Sequence, residues 1–161
     1  MSCWLLKTEP EKFSIQDLAK APRKTTYWDG VRNYQARNFL RDKMKLGDQV
    51  LIYHSNAEPS AVVGTAVVVR EGYPDTSAFD KSSRYYDEKS KQDAPTWFMV
   101  DVQLVEIFKT PQALETLRDI PALKKMELLR KGSRLSVQPV TPQEYQTIVR
   151  LGNAKAGKSS T

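Results

Sequence analysis

The residues of this chain that could do chemistry are aromatic side chains next to polar and basic ones. Trp28 is the strongest example, because it stands directly before Asp29 and Gly30 and outside any periodic segment. Arg32 and Asn33 follow at a predicted helix N-terminus, whose backbone amides can meet an anion. Trp28 could therefore form the wall of a ligand site, and it could equally be a lid over the hydrophobic core.

A second aromatic pair, Tyr85 and Tyr86, lies in a stretch without hydrophobic periodicity, residues 71–96. Lys81 and Arg84 are close to it in sequence. Rings that stack on bases and cations that hold phosphates are typical of nucleic-acid binding. The same residues could also form a packed surface loop.

Polar residues near strand ends could bond to the edge of a ligand. His54 ends a predicted strand that runs into Ser55, and its neutral imidazole could bond a base edge or merely close the strand. Ser136 and Gln138 alternate with apolar residues, so they share one face of the last predicted strand. If that face is buried, both side chains must find partners.

The inventory of catalytic side chains is thin. With one histidine and one cysteine, the chain has no His/Cys set with zinc-ligand spacing, and it has no glycine-rich phosphate-binding motif. His54 and Ser55 are neighbours on a strand, so their side chains diverge. We therefore expect a binding module without metal or cofactor rather than an enzyme.

Two alternatives stay open. A hydrolase acting on nucleic acid or modified nucleosides could use Lys7 or His54 as the base, with Glu9 or Asp87 as its partner. A protein-interaction adaptor could instead use the long loop and the charged surface.

Charge and composition narrow the partners. The net charge of +6, with 25 basic against 19 acidic residues, favours phosphate-bearing partners, although such charge also serves solubility. The single Cys3 and the lack of a leader-like segment predict a cytoplasmic protein, or a nuclear one in a eukaryote. No apolar run approaches the roughly 20 residues that cross a bilayer, so no membrane partner is expected. The oligomeric state is left open.

Hydrophobic patterns predict strands interleaved with short helices. We expect strands at residues 3–7, 49–54, 61–70, 97–108 and 135–140. We expect helices that begin near Ser14, Asn33, Thr110–Pro111 and Thr141, and one more across 123–129. The aromatic residues on strands, Trp4, Tyr53 and Trp97, are by default core residues. Crossovers this short favour a small mixed α+β barrel with helices outside it.

Several blocks of the sequence, all in one order, resemble the EVE-domain family, which is related to the thymocyte nuclear protein family, the PUA-like superfamily and YTH domains. The blocks are Trp4-Leu5-Leu6-Lys7-Thr8-Glu9-Pro10, 28–39 from Trp28 to Phe39, Tyr53-His54-Ser55-Asn56, Tyr85-Tyr86-Asp87, 97–102 from Trp97 to Val102, and 135–140 from Leu135 to Val140. The resemblance is nearly full length and lacks only the residues after about Leu151.

The resemblance implies a fold and a ligand. The fold is a PUA-like mixed β-barrel of about five to six strands flanked by short helices, in one domain over residues 1–151. Residues 152–161 lack apolar periodicity, and we expect them to form a disordered tail. The ligand is nucleic acid carrying a modified base, chiefly a modified cytosine in DNA, which a non-catalytic module captures in an aromatic pocket.

The family's pocket elements, carried to this sequence, give a candidate site. The expected base-binding residues are Trp28, Gly30, Val31, Arg32, Asn33, Tyr53, His54, Ser55, Trp97, Ser136 and Gln138. The basic residues expected to hold flanking phosphates are Lys7, Arg37, Lys81 and Arg84, and the accessory loop contributes Tyr85 and Tyr86.

Overall fold

The computed structural model describes residues 1–154, in which six strands join in one mixed sheet. The strands are β1 (Cys3–Thr8), β2 (Thr25–Tyr27), β3 (Gln49–His54), β4 (Ala61–Pro74), β5 (Phe98–Ala113) and β6 (Val137–Val140). Their order across the sheet is β2-β5-β4-β3-β1-β6. β1 and β3 are parallel, and the other neighbouring pairs are antiparallel.

Both faces of the sheet are buried, as the alternation along β3 shows. Val50 and Ile52 belong to a first hydrophobic core, and Leu51 and Tyr53 belong to a second core on the opposite face. A strand that is covered on both faces of the sheet must bury side chains on both, so β1 and β3 are nearly continuous apolar runs. Each fully buried leucine or isoleucine contributes about 1.5–3 kcal/mol.

Short helices cover the two faces. They are α1 (Ile15–Lys20), α2 (Tyr34–Asn38), α3 (Leu114–Arg118) and α4 (Pro142–Gly152), with a π-helical turn at Phe39–Lys43 directly after α2. α1 and α2 place buried residues in the first core, and α3 and α4 place theirs in the second. The predicted caps are confirmed: Ser14 and Thr141 form capping boxes, and Asn33 caps α2.

Two helix predictions differ from the structure. The helix expected to begin at Thr110–Pro111 and to carry Leu114 and Leu117 is present, but it begins later, at Leu114, because β5 continues to Ala113. Beyond Gln103, β5 pairs only with β4 in the described part of the chain, so its other edge is unpaired. Proline has no backbone N–H to donate, and Pro111 can therefore stand on this unpaired edge. The helix expected over 123–129 is instead two 3₁₀ turns, at Pro121–Leu123 and Glu127–Leu129.

The sheet is mixed and flanked by short helices, as predicted, but it is not a closed barrel. In residues 1–154, β2 and β6 are edge strands that pair along one side only. β2 has three residues and β6 has four, and strands this short do not pair with each other to close the sheet into a barrel. The three-residue β2 was not predicted.

The predicted C-terminal tail begins too early. Gly152 ends α4 and is buried, and any side chain added there would overlap the ring of Phe108. Residues 155–161 lie outside the part of the chain that is described, so the expectation of disorder there stays a prediction.

The strand ends gather the candidate site. The parallel strands β1 and β3 end side by side, where the Ser55 amide donates to the Thr8 carbonyl at 3.0 Å. On the other side of β1, the Lys7 amide donates to the Ser136 carbonyl at 2.9 Å. The segments after β1, β2 and β3 and before β6 therefore meet at one end of the sheet.

Candidate functional site

A cavity of about 520 Å³ opens at this end of the sheet. Four aromatic side chains line it: Phe13, Tyr27, Trp28 and Tyr85. The volume falls within the roughly 300–1,000 Å³ of small-molecule sites, and such sites combine apolar walls with a few polar groups. The aromatic walls suit a flat, ring-shaped ligand.

Trp28 differs from the other two tryptophans of the chain. Trp4 donates its indole N–H to Asp48 at 2.9 Å, and Trp97 donates its own to Asp87 at 2.7 Å. The indole N–H of Trp28 has no hydrogen-bond partner within residues 1–154, and it is not one of the fully buried unpaired atoms there. Trp28 is 7% exposed, packs edge-on against Phe13 and borders the cavity. It is thus both a lid on the first core and a cavity wall.

Gly30 and Tyr85 form another part of the cavity wall. Gly30 has a φ of +81°, and a Cβ atom there would overlap the Tyr85 ring. Only glycine lets the ring lie against the backbone in this conformation. The guanidinium groups of Arg32 and Arg84 each lie 5.5 Å from the centre of the same ring.

A buried carboxylate, Asp75, ties the two wall segments together. It is fully buried and accepts hydrogen bonds from the Gly30 amide at 2.9 Å and from Arg32 at 3.0 Å. It also accepts bonds from the amide and hydroxyl of Ser77. Arg32 in turn donates to the Tyr85 carbonyl at 2.7 Å. The loop that carries Tyr85 is therefore held at a fixed distance from Gly30.

Asp29 is a cavity residue inside the predicted pocket segment 28–33, although it is not among the expected base-binding residues. It lines the cavity half-buried, and its carboxylate accepts no hydrogen bond from another residue in 1–154. Burial raises the pKa of Asp29, the nearby Asp75 raises it further, and Arg32 lowers it in part. A half-buried carboxyl with a raised pKa in a cavity is a candidate for ligand contact.

The rim of the cavity is polar and basic. Ser55 and Ser136 contribute hydroxyls, and Lys7 and Arg84 contribute cations. Burial lowers the pKa of Lys7, and the Glu127 carboxylate opposes that shift. Two further rim residues neutralise each other, since Lys12 lies 3.1 Å from Glu9.

The structure brings together about half of the predicted site. The residues that line the cavity are Trp28, Gly30, Val31, Ser55, Ser136, Lys7, Arg84 and Tyr85. The predicted residues that do not line it are Arg32, Asn33, Tyr53, His54, Trp97, Gln138, Arg37, Lys81 and Tyr86.

His54 serves the fold instead of the cavity. It is buried, and its Nε2 accepts a hydrogen bond from the Ile15 amide at 3.1 Å. A ring nitrogen that accepts carries no proton, and burial lowers the pKa of His54, so the ring is neutral at neutral pH. The bond to Ile15 places His54 under the start of α1, away from Ser55.

Arg32 and Trp97 form the support behind the wall. The Arg32 guanidinium lies 5.2 Å from the centre of the Trp97 rings, and Trp97 is stacked on Tyr34 at 5.1 Å. The Arg32 guanidinium forms a salt bridge with Asp75, and the Trp97 indole N–H donates a hydrogen bond to Asp87. They position the cavity without lining it.

Three other predicted pocket residues are occupied by the fold. The Asn33 side chain accepts from the Ala36 amide as the cap of α2. Tyr53 packs in the second core, whereas Trp28 packs in the first. Gln138 is fully buried, and its amide nitrogen donates to the Leu135 carbonyl at 2.9 Å, while its buried Oε1 has no hydrogen-bond partner within residues 1–154.

The remaining predicted contacts lie away from the cavity. Arg37 donates to the Thr96 carbonyl at 2.6 Å and lies 5.2 Å from the Tyr34 ring centre. Lys81 is exposed, and so is Tyr86, although its neighbour Tyr85 lines the cavity.

The described residues 1–154 lack two features, a cluster of metal ligands and a membrane-spanning helix. No group of three or more His, Cys, Asp or Glu side chains there is placed to hold a metal ion. None of the helices in that range is long and apolar enough to span a bilayer.

The fold and the cavity define a small α+β module of the PUA-like class, with a mixed sheet and an aromatic-walled cavity at its strand ends. The chain belongs to the EVE domain family, whose model matches residues 2–151. Mouse thymocyte nuclear protein 1 is 47% identical over 165 aligned positions, which cover 92% of this chain and 72% of that protein. The human thymocyte nuclear protein 1 is 44% identical, covering 93% and 73%.

Solved structures agree with this assignment. The human THYN1 protein, solved in complex with 5-methylcytosine containing DNA, superposes with a TM-score of 0.90 at 43% identity. The alignment covers 96% of this chain and 99% of that one. A protein from Pseudomonas putida superposes with a TM-score of 0.89 at 44% identity, covering 94% of this chain and 99% of the other.

Proposed function

We propose that this protein is a non-catalytic module that captures a modified cytosine of DNA in the aromatic cavity. The observation that carries the proposal is that the Trp28 indole N–H and the Asp29 carboxylate both lie at the cavity and neither has a hydrogen-bond partner from another residue within 1–154. The relative that was solved with 5-methylcytosine containing DNA supports the choice of ligand, because it shares the fold over nearly the whole chain.

The aromatic walls supply the binding energy. A base that rotates out of its strand can stack on the ring of Trp28 or Tyr85, and such stacking contributes about 1–3 kcal/mol per base. Leaving the duplex costs a few kcal/mol, so stacking offsets that cost only in part. Hydrogen bonds to the base edge and contacts to phosphates must supply the rest.

Asp29 can distinguish cytosine from thymine. The cytosine N4 amino group donates hydrogen bonds, and a carboxylate is a natural acceptor for it. Thymine presents the O4 oxygen at the same place, which the carboxylate repels. A contact of this kind is worth about 1–3 kcal/mol of discrimination.

The methyl group needs a separate contact. A buried methyl contributes about 0.8 kcal/mol, which is a roughly fourfold preference over plain cytosine. Phe13 and Val31 provide apolar cavity surface for it. The preference for 5-methylcytosine over cytosine is therefore expected to be modest, unless unmodified cytosine is actively rejected.

The arrangement of the residues favours binding over hydrolysis. Among the groups considered as bases or as their partners, His54 accepts a hydrogen bond from the Ile15 amide at the start of α1, and Asp87 accepts one from the Trp97 indole. Lys7 and Glu9 both line the cavity, but Glu9 pairs with Lys12. We expect oligonucleotides to be recovered unchanged in mass after incubation with the protein, and a covalent change would favour the hydrolase.

The proposal is tested with duplexes that differ only in one base, 5-methylcytosine, cytosine or thymine. Trp28→Ala should weaken binding of the 5-methylcytosine duplex by about 5- to 150-fold, the equivalent of one stacked base. Trp28→Phe, which keeps a ring, should restore most of the affinity, and thermal unfolding of both variants controls for loss of the core. Equal affinity of the wild type for all three duplexes would contradict the proposal.

A further inference from the structure

A second concave surface lies beside the cavity and has a different character. It has a volume of about 260 Å³ and runs between the start of α2 and the segment before β6. Its charged lining residues are Arg130, Lys131, Arg134 and Glu127, with the amide side chain of Gln35 opposite. Among the described residues 1–154, no aromatic side chain lines it, in contrast to the first cavity. A groove without aromatic walls is suited to charged groups and not to stacked bases.

The charges of this basic groove are unbalanced. The Glu127 carboxylate accepts a hydrogen bond from the Ser133 hydroxyl at 2.5 Å and lies 3.5 Å from the Arg130 guanidinium. Lys131 and Arg134 are exposed and form no ion pair with any residue in 1–154. One acidic and three basic side chains thus leave a local charge of about +2 at neutral pH.

The basic groove adjoins the base cavity through neighbouring residues of the chain. Leu135 lines the groove, and the next residue, Ser136, lines the cavity. Glu127 of the groove also lies near enough to Lys7 of the cavity rim to act on its charge.

We propose that the basic groove binds backbone phosphates of the DNA that flanks the captured base. The inference rests on the proposed function, since it is the base in the cavity that brings these phosphates to the groove. Arg134 can bind a phosphate through two parallel hydrogen bonds, and Lys131 acts as a point charge. Phosphate contacts fix the position of the duplex without reading sequence.

The test is the salt dependence of binding. Each phosphate contact contributes about 0.9 to the slope of log affinity against log salt concentration. The double variant Lys131→Gln/Arg134→Gln should therefore lower the slope by up to about 2 for a duplex with one 5-methylcytosine. Its preference for 5-methylcytosine over cytosine should stay as in the wild type. The matched control, Lys20→Gln/Lys109→Gln, removes the same charge from exposed positions that line neither cavity nor groove.

The outcomes separate the two proposals. If the groove variant and the control variant have equal slopes, the proposal that the groove binds phosphates is wrong, and the proposal that the cavity binds the base is unaffected. If the wild type has no base preference, the proposal that the cavity binds the base is wrong. A slope that is lower in the groove variant than in the control variant would even then place DNA in the groove. Binding of the nucleoside 5-methyl-2′-deoxycytidine, which has no phosphate, should be the same for wild type and groove variant. Weaker nucleoside binding by the variant would show that the groove acts on the cavity and not on phosphates.

Discussion

Two adjoining regions of this protein use the same kinds of side chain and differ in how fully those side chains are paired. In the support cluster behind the cavity, Asp75 accepts hydrogen bonds from Gly30, Arg32 and Ser77, and the Trp97 indole bonds to a carboxylate. In the cavity, the carboxylate of Asp29 and the indole of Trp28 have no such partner in residues 1–154.

This difference in pairing distinguishes the residues that hold the fold from the residues that are available to a ligand. A paired, buried polar group holds a shape, because breaking the pair leaves an uncompensated charge. A polar group at a cavity that lacks a protein partner is a candidate for contact with a ligand that supplies the missing partner. The two aspartates are thus expected to respond to mutation in opposite directions.

The largest expected effect is on the support cluster. Asp75→Ala should destabilise the protein by about 3–5 kcal/mol, because it leaves the Arg32 guanidinium and the Gly30 amide without their buried partner. Urea unfolding measures the loss. The variant should also lose affinity for DNA, since the Tyr85 wall is no longer fixed to Gly30. A loss of less than about 1 kcal/mol would show that the cluster does not hold the wall.

A smaller effect of opposite sign is expected in the cavity. The pKa of Asp29 is raised above its ordinary value of 3.8 in the folded state, so its ionised form opposes folding. Relative to the unfolded chain, this penalty is absent below pH 3.8 and is complete above the raised pKa. Asp29→Asn should therefore raise the melting temperature at pH 7, and the gain should disappear as the pH falls toward that value.

The same substitution should reduce base discrimination. The side-chain amide introduced by Asp29→Asn can rotate to donate to thymine O4, so the preference for a cytosine over a thymine duplex should fall by about tenfold. Glu115→Gln, which removes one acidic charge at an exposed position outside the cavity, is the control for net charge. Unchanged discrimination would remove Asp29 from contact with the base.

The sequence predicted those features that depend on residues close together in the chain. The caps at Ser14, Asn33 and Thr141 were predictable because each cap is complete within about four residues. Leu123, Met126 and Leu129 are spaced by three, which fits a 3₁₀ turn as well as an α-helix, and the structure has the turns. The three-residue β2 is too short to show any period.

The site was predictable only in part, for the same reason. Trp28 and Ser55 came from aromatic placement and from the family resemblance, and both line the cavity. Asp75 was missed because its partners Gly30 and Arg32 are more than 40 positions away in sequence. His54 was misplaced because the sequence does not show that α1 packs over the end of β3 and uses its ring nitrogen.

The central claim is that the Trp28 indole is a ligand wall, while Trp4 and Trp97 are structural. The most direct measurement is NMR of the three indole N–H signals, assigned with Trp28→Phe, during titration with a duplex that contains one 5-methylcytosine. The account predicts that the Trp28 signal shifts most, and that the signals of Trp4 and Trp97, which are already hydrogen-bonded, move little. A Trp28 signal that stays fixed while DNA binds would contradict it.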